Sequence, residues 1–167
     1  SPPTMDADKL TSLTPREVIY HNKKVEIVQE VLNDYVKKAS DRFKKGEISA
    51  TELQVIMGSL LSYQQTILRL AAKYKWDQEG VREIIEQFGT GEVEVEHMIP
   101  SVVMLLDMFN QHINGSGIDN VSEYLKNYQV AVISKDMNDA LVEMGVGQTL
   151  APGQTIEDPS WFRYYFE

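Results

Sequence analysis

Glu94 and His97 stand three residues apart in "EVEVEHM", a spacing at which a helix presents a carboxylate and an imidazole to one metal ion. Di-iron carboxylate centres in helical proteins need that Glu-x-x-His pair on each of two helices, with a further Glu from each of two others. This chain offers one pair. Neither His21 nor His112 has a Glu three residues before it, although Glu17 and His21 are one helical turn apart. The Glu94–His97 pair also lies where acidic and apolar residues alternate, a strand signature rather than a helical one. An exposed or structural histidine is therefore expected, with no metal and no cofactor.

Other chemistries fail on spacing. "NGSGIDNVSEY", Asn114 to Tyr124, has acidic residues and glycines but not at the offsets of a calcium-binding loop. No Gly-x-x-x-x-Gly-Lys-Ser/Thr phosphate loop and no Gly-x-Gly-x-x-Gly turn occurs. Cysteine is absent, which removes thiol nucleophiles, thiolate metal sites and disulfides, and fits a reducing, cytoplasmic compartment. The alternating Glu92, Glu94 and Glu96 read as a solvated face, not an acid/base dyad. The expectation is a protein that is not an enzyme, with no small-molecule substrate evident.

Charge points to a different chemistry. "KKASDRFKKG" places Lys37, Lys38, Arg42, Lys44 and Lys45 within nine residues, the composition of a helix end that can touch phosphates without reading sequence. Residues 1–8 carry −2, Lys9 to Trp76 +5 and Asp77 to Glu167 −12, so a net charge of −9 hides a basic stretch followed by an acidic second half. Against a nucleic-acid role stands an isoelectric point near 4.8, whereas a basic domain is the usual footprint. A solvated helix end matched to its dipole explains the same lysines, and the opposite halves can attract one another within one molecule.

The strongest signal is aromatic. The chain closes on "SWFRYYFE", and Trp161, Phe162, Tyr164, Tyr165 and Phe166 are five of its fifteen aromatic residues. Such side chains bury about 150–250 Å² each, so the five represent on the order of 1,000 Å². A monomer tolerates an exposed apolar patch of only a few hundred Å². The tail must dock, either on its own helices or on a partner. In the second case Trp161, Phe162, Tyr164, Tyr165 and Phe166 are apolar anchors and Arg163 a polar one, residue types that dominate binding hot spots.

The elements that position these residues are mostly helices. "TPRE", Thr14 to Glu17, reads as a capping box with Pro15 at the first helical position. Val18, Val25, Leu32 and Ala39 recur every seven residues, beside a second line of Val28, Tyr35 and Phe43, and Gly46 ends the run. About thirty residues at ~1.5 Å each make a rod of roughly 45 Å. "SATE", Ser49 to Glu52, opens a second amphipathic helix through Leu53, Met57, Leu60, Leu61 and Gln64 to Tyr74. The short connection favours an antiparallel hairpin. A third helix is expected from Asp77 to Phe88, ended by Gly89. Glu92–Ile99 alternates like a strand. Pro100 opens a helix through Val103, Leu106 and Phe109, and "NVSE", Asn120 to Glu123, is another capping box. "YQVAVIS", Tyr128 to Ser134, fits either a continuing helix or a strand pairing with Glu92–Ile99. A last helix runs from about Lys135 to Met144, between Ser134 and Gly145, before an irregular arm from Gln148 to Pro159.

These readings sum to a mostly α chain, a helical bundle built on an antiparallel hairpin of two long helices with shorter packed helices and room for one small two-stranded β ribbon. Residues 1–13 form an N-terminal extension whose first four, SPPT, fit either a tag remnant or a chain cut from a longer protein. Residues 14–147 form the helical domain, with a basic hairpin over 14–76 and an acidic part over 77–147. Residues 148–167 are the arm and aromatic tail. No apolar run is long enough to insert in a membrane. The function expected is a protein–protein interaction module, meaning an adaptor, chaperone-like or assembly component, with a protein partner or a homo-oligomer. The alternative is a nucleic-acid-associated accessory protein using the basic helix end at 37–45.

Overall fold

Ser49 starts the second long helix as its spacing requires. Its Oγ accepts from the amide of Glu52 at 3.1 Å, and Glu52 Oε1 accepts from the amide of Ser49 at 3.0 Å, the reciprocal bonds of a capping box. A computed structural model of the chain describes residues 16–18, 23–76, 86, 91–126 and 130–164. It is mostly helical. In chain order β1 (Arg16–Val18) is followed by α1 (Lys23–Lys44), α2 (Ala50–Trp76), β2 (Val93–His97), α3 (Ser101–Ile113), α4 (Val121–Tyr124), β3 (Val130–Ser134), α5 (Lys135–Glu143) and a 3-10 turn (Ser160–Tyr164). The helix expected between Asp77 and Phe88 lies outside the described residues, apart from helical Glu86.

Between α1 and α2 the chain turns at Gly46, whose φ of 75° suits glycine at no steric cost. The amides of Gly46 and Glu47 return to the carbonyls of Phe43 and Arg42, satisfying the end of α1. One apolar core joins Leu32, Val36 and Ala39 of α1, Leu53 and Leu60 of α2, and Leu105, Met108 and Phe109 of α3. The inward line on α1 therefore runs through Val36, not Tyr35, which is 55% exposed. A helix at 3.6 residues per turn drifts about 20° per heptad from a strict seven-residue repeat. Polar Gln29, Asn33 and Ser40 take inward positions that the apolar count passes over. Leu106 is likewise outward, and Met104, Leu105, Met108 and Phe109 face in.

β2 and β3 pair antiparallel, Val95 opposite Val132, so "EVEVEH" is a strand and "VAVIS" resolves to a strand as well. Ala131, Val132 and Ile133 have no exposed surface, so this strand is covered on both faces and reads as a continuous apolar run. The sheet has a third strand that corrects the expected start of α1. Arg16–Val18 pairs with the other edge of β3, Glu17 opposite Ala131, giving the order β1-β3-β2. Pairing there satisfies the β3 backbone at a position where water cannot, and this outweighs the local capping pattern of "TPRE".

Ser134 Oγ accepts from the amide of Met137 at 3.0 Å and starts α5, which ends at Gly145 with φ 78°. Asn120 Oδ1 accepts from the amide of Glu123 at 3.0 Å, yet the helix it caps, α4, lasts a single turn. Two further apolar clusters complete the interior. One gathers Met98, Ala131, Ile133, Met137, Leu141, Val146 and Tyr164, and the other Ile99, Met104, Val121 and Leu125. No helix among the described residues is long and apolar enough to cross a membrane.

Candidate functional site

The arm before the tail is built of tight turns. Gln154 closes one on Ala151 through its amide and through its side-chain Oε1, both at 3.0 Å. Thr155 and Asp158 close the next, with the Thr155 amide 2.7 Å from Asp158 Oδ2. Leu150 and Ile156 anchor the arm against the cluster of Ile99, Met104, Val121 and Leu125. Pro159 then accepts from the amide of Phe162 at 3.0 Å, and the 3-10 turn delivers Arg163 and Tyr164 into the interior.

Arg163 is 1% exposed, so its charge needs a counterion and its N–H groups need acceptors. Nη1 donates to Glu96 Oε1 at 2.7 Å, and Glu96 is itself largely buried on β2. Nε donates to the carbonyls of Val146 and Thr149 at 2.9 and 3.0 Å, and Nη2 to the carbonyl of Gly147 at 2.9 Å. Tyr164 is fully buried, and its hydroxyl donates to the same Glu96 oxygen at 2.5 Å. Burial first, then the negative charge of Glu96 and the bond to it, hold this phenol well above its ordinary ionisation range. One carboxylate on a strand thus fastens two consecutive tail residues.

This placement corrects the partner-facing reading of Arg163 and Tyr164. Both side chains are consumed inside the molecule, because a buried ion pair with satisfied hydrogen bonds leaves no group to offer a partner. Phe162, at 36% exposed, remains at the surface. Tyr165 and Phe166 lie outside the described residues, as does the side chain of Trp161. Beside the clamp a cavity of about 680 Å³ opens between Val95, Glu96, Val142, Gln148 and Arg163. No group of three or more His, Asp or Glu side chains that could hold a metal ion occurs among the described residues.

Lys37, Lys38, Arg42, Lys44 and Lys45 are all exposed at the end of α1. Arg42 lies 4.0 Å from Glu47, and Lys44 lies 3.6 Å from Asp41 and donates to the carbonyl of His112 at 2.8 Å. Among the described residues Lys37, Lys38 and Lys45 have no ion-pair partner. One turn upstream, the outward face of α1 is apolar: Ile27, Val31 and Tyr35 at i, i+4 and i+8 are 57%, 38% and 55% exposed. Sequence reasoning missed this stripe because it assigned Tyr35 to the core. The four-residue spacing of Ile27, Val31 and Tyr35 was its available signal.

A second missed feature joins α1 to α3. His112 is 5% exposed and donates from Nε2 to Asn33 Oδ1 at 2.7 Å, and Asn33 Nδ2 reaches the carbonyl of Ile118 at 3.4 Å. Burial lowers the imidazole pKa, Lys37 and Lys44 add to that, and Asp41 and Asp119 oppose it. Comparison with known proteins found no matching family model, no matching curated protein and no matching solved structure.

Proposed function

We propose that this chain is a non-enzymatic protein–protein interaction module, an adaptor, chaperone-like or assembly component, whose working surface is the outward face of α1. The helices are read as a bundle on an α1–α2 hairpin that holds this face rigid. The observation that supports it is the stripe of Ile27, Val31 and Tyr35, three large apolar side chains in line on a helix whose opposite face is fully engaged in the core. Contiguous exposed apolar surface of this kind marks a binding surface more often than a solvated one. Phe162, with its neighbours Trp161, Tyr165 and Phe166, is the proposed second anchor set. Arg163 and Tyr164 serve it only by fixing the end of the 3-10 turn that carries Phe162.

The experiment is affinity capture from the native source with wild-type protein and with Val31→Asp and Tyr35→Asp. Both substitutions fall on an exposed face, so helical circular dichroism should be unchanged while the complex is lost. A complex that survives both variants would overturn the reading.

A second reading rests on exposed Lys37, Lys38 and Lys45, which are free to meet phosphates. It predicts DNA or RNA binding that weakens steeply between low and physiological salt. No binding at low salt would remove it.

A further inference from the structure

The outward faces of α1 and α5 are complementary in charge and in apolar content. On α1, Tyr35, Lys38, Arg42 and Lys45 recur at i, i+3, i+7 and i+10, so one exposed face passes from the apolar stripe into three cations, with Glu30 and Asp34 along its other edge. On α5, Asp136, Asp139, Val142 and Glu143 share one exposed face, with Lys135 at its start. Val142 is 63% exposed and Met144, just beyond the helix, 37%. Among the described residues neither Lys38 nor Asp139 nor Glu143 has an ion-pair partner. Nor do the two faces belong to the same layer: α1 packs on α2, α3 and α4, and α5 packs on β2 and β3.

We propose that the partner of the α1 face is a second copy of this chain, which docks the α5 face on it. In this contact Val142 and Met144 cover the α1 stripe near Tyr35 and Val31, and Asp139 and Glu143 meet Lys38 and Arg42. Covering the apolar groups supplies the driving force. The charge pairs select the register and exclude the alternatives, because like charges brought together are strongly unfavourable. Two copies of net charge −9 repel at a distance, but the Debye length of about 8 Å at physiological ionic strength leaves the facing pairs to decide at contact. The two faces differ, so the contact is heterologous: each copy keeps one unused α1 face and one unused α5 face, and copies add head to tail into a chain or a ring. This deepens the interaction reading above and rests on it.

Sedimentation of the full chain over a concentration series at physiological salt tests the proposal. The weight-average mass should climb above the 19.0 kDa of one chain and continue past the dimer. Lys38→Glu alone and Asp139→Lys alone should each weaken association by about tenfold or more. Mixing the two variants, or combining both changes in one chain, should restore it, a recovery that misfolding cannot produce. A wild-type mass of 19.0 kDa at every concentration would overturn the proposal, as would association indifferent to either reversal or a double reversal that fails to recover. The two readings separate cleanly. If wild type stays monomeric while Val31→Asp still loses the native complex, the interaction surface stands and its occupant is a different protein. If α1-face variants lose neither complex nor self-association, the surface itself is wrong.

Discussion

Arg163 and Glu96 meet across 67 positions of sequence, Nη1 to Oε1 at 2.7 Å, where the arginine is 1% exposed. Removing one member of a buried pair strands the other charge, which typically destabilises by about 3–5 kcal/mol. Arg163→Ala should therefore lower the urea midpoint sharply with little change in slope. Arg163→Lys should also destabilise, since a single ammonium cannot serve Glu96 and the carbonyls of Val146, Gly147 and Thr149 together. Tyr164→Phe keeps the ring and loses only the bond to Glu96, for a loss of about 1 kcal/mol. Midpoints for all three variants within experimental error of wild type would refute the clamp.

Deleting Ser160–Glu167 separates a core plug from a free docking peptide. Tyr164 fills the cluster of Met98, Ala131, Ile133, Met137, Leu141 and Val146, so its removal opens a cavity as well as breaking the clamp. Large aromatic losses of this type are worth about 3–5 kcal/mol. The truncated chain should keep most of its far-ultraviolet helical signal but melt well below the full chain. Equal melting temperatures would place the tail outside the core.

Tyr124 and Tyr164 should keep their protons well into alkaline solution. Tyr124 donates to Asp107 Oδ2 at 2.5 Å, and burial followed by that carboxylate raises its pKa above the ordinary range, as burial and Glu96 do for Tyr164. Both phenols stay protonated in the fold at a pH where the unfolded chain, near pKa 10, gives up its protons. Stability from these groups is complete below pH 10 and is lost as pH rises beyond it. Absorbance titration should show a fraction of the tyrosine signal ionising only together with unfolding, and Tyr124→Phe and Tyr164→Phe should each remove one tyrosine from that fraction. Smooth ionisation of all eight tyrosines before unfolding would contradict the assignment.

Local signals carried much of this architecture. Ser49, Asn120 and Ser134 cap where their spacing with Glu52, Glu123 and Met137 places them, because these bonds span only three residues. Alternation in "EVEVEH" marked β2, whereas "VAVIS" fitted helix or strand equally and is a strand through its pairing with β1 and β2. Long-range pairing was not legible. Nothing near Arg16 announces that its segment would join β3, and nothing in the alternating glutamates marks Glu96 as the one that receives Arg163. The tail's need for cover was readable from five aromatic residues, yet whether cover came from the same molecule depended on a pocket assembled from β2, β3 and α5. The outward stripe of α1 was hidden by counting apolar residues without counting the inward polar ones, Gln29, Asn33 and Ser40.

His112 makes the sharpest pH prediction. Its ring is buried, Nε2–H is spent on Asn33 Oδ1, and Asn33 in turn holds the carbonyl of Ile118, so the imidazole ties α3 and the following loop to α1. On the other side of the ring Nδ1 faces Gly117, where even an added Cβ would come within 3.4 Å. Burial pushes the folded pKa below the ordinary 6.5. Between those two values the unfolded chain binds the proton that the fold refuses, so stability falls as pH drops below about 6.5 and levels off once the folded histidine also titrates. Above 6.5 this contribution is complete. Urea unfolding from pH 8 to pH 5 should show that decline in wild type. His112→Gln, which can keep a donor toward Asn33 but cannot ionise, should be less stable at pH 8 and nearly flat across the same interval. A wild-type profile that is equally flat, or an imidazole signal titrating at or above 6.5 in the folded protein, would show that the ring is not held as described.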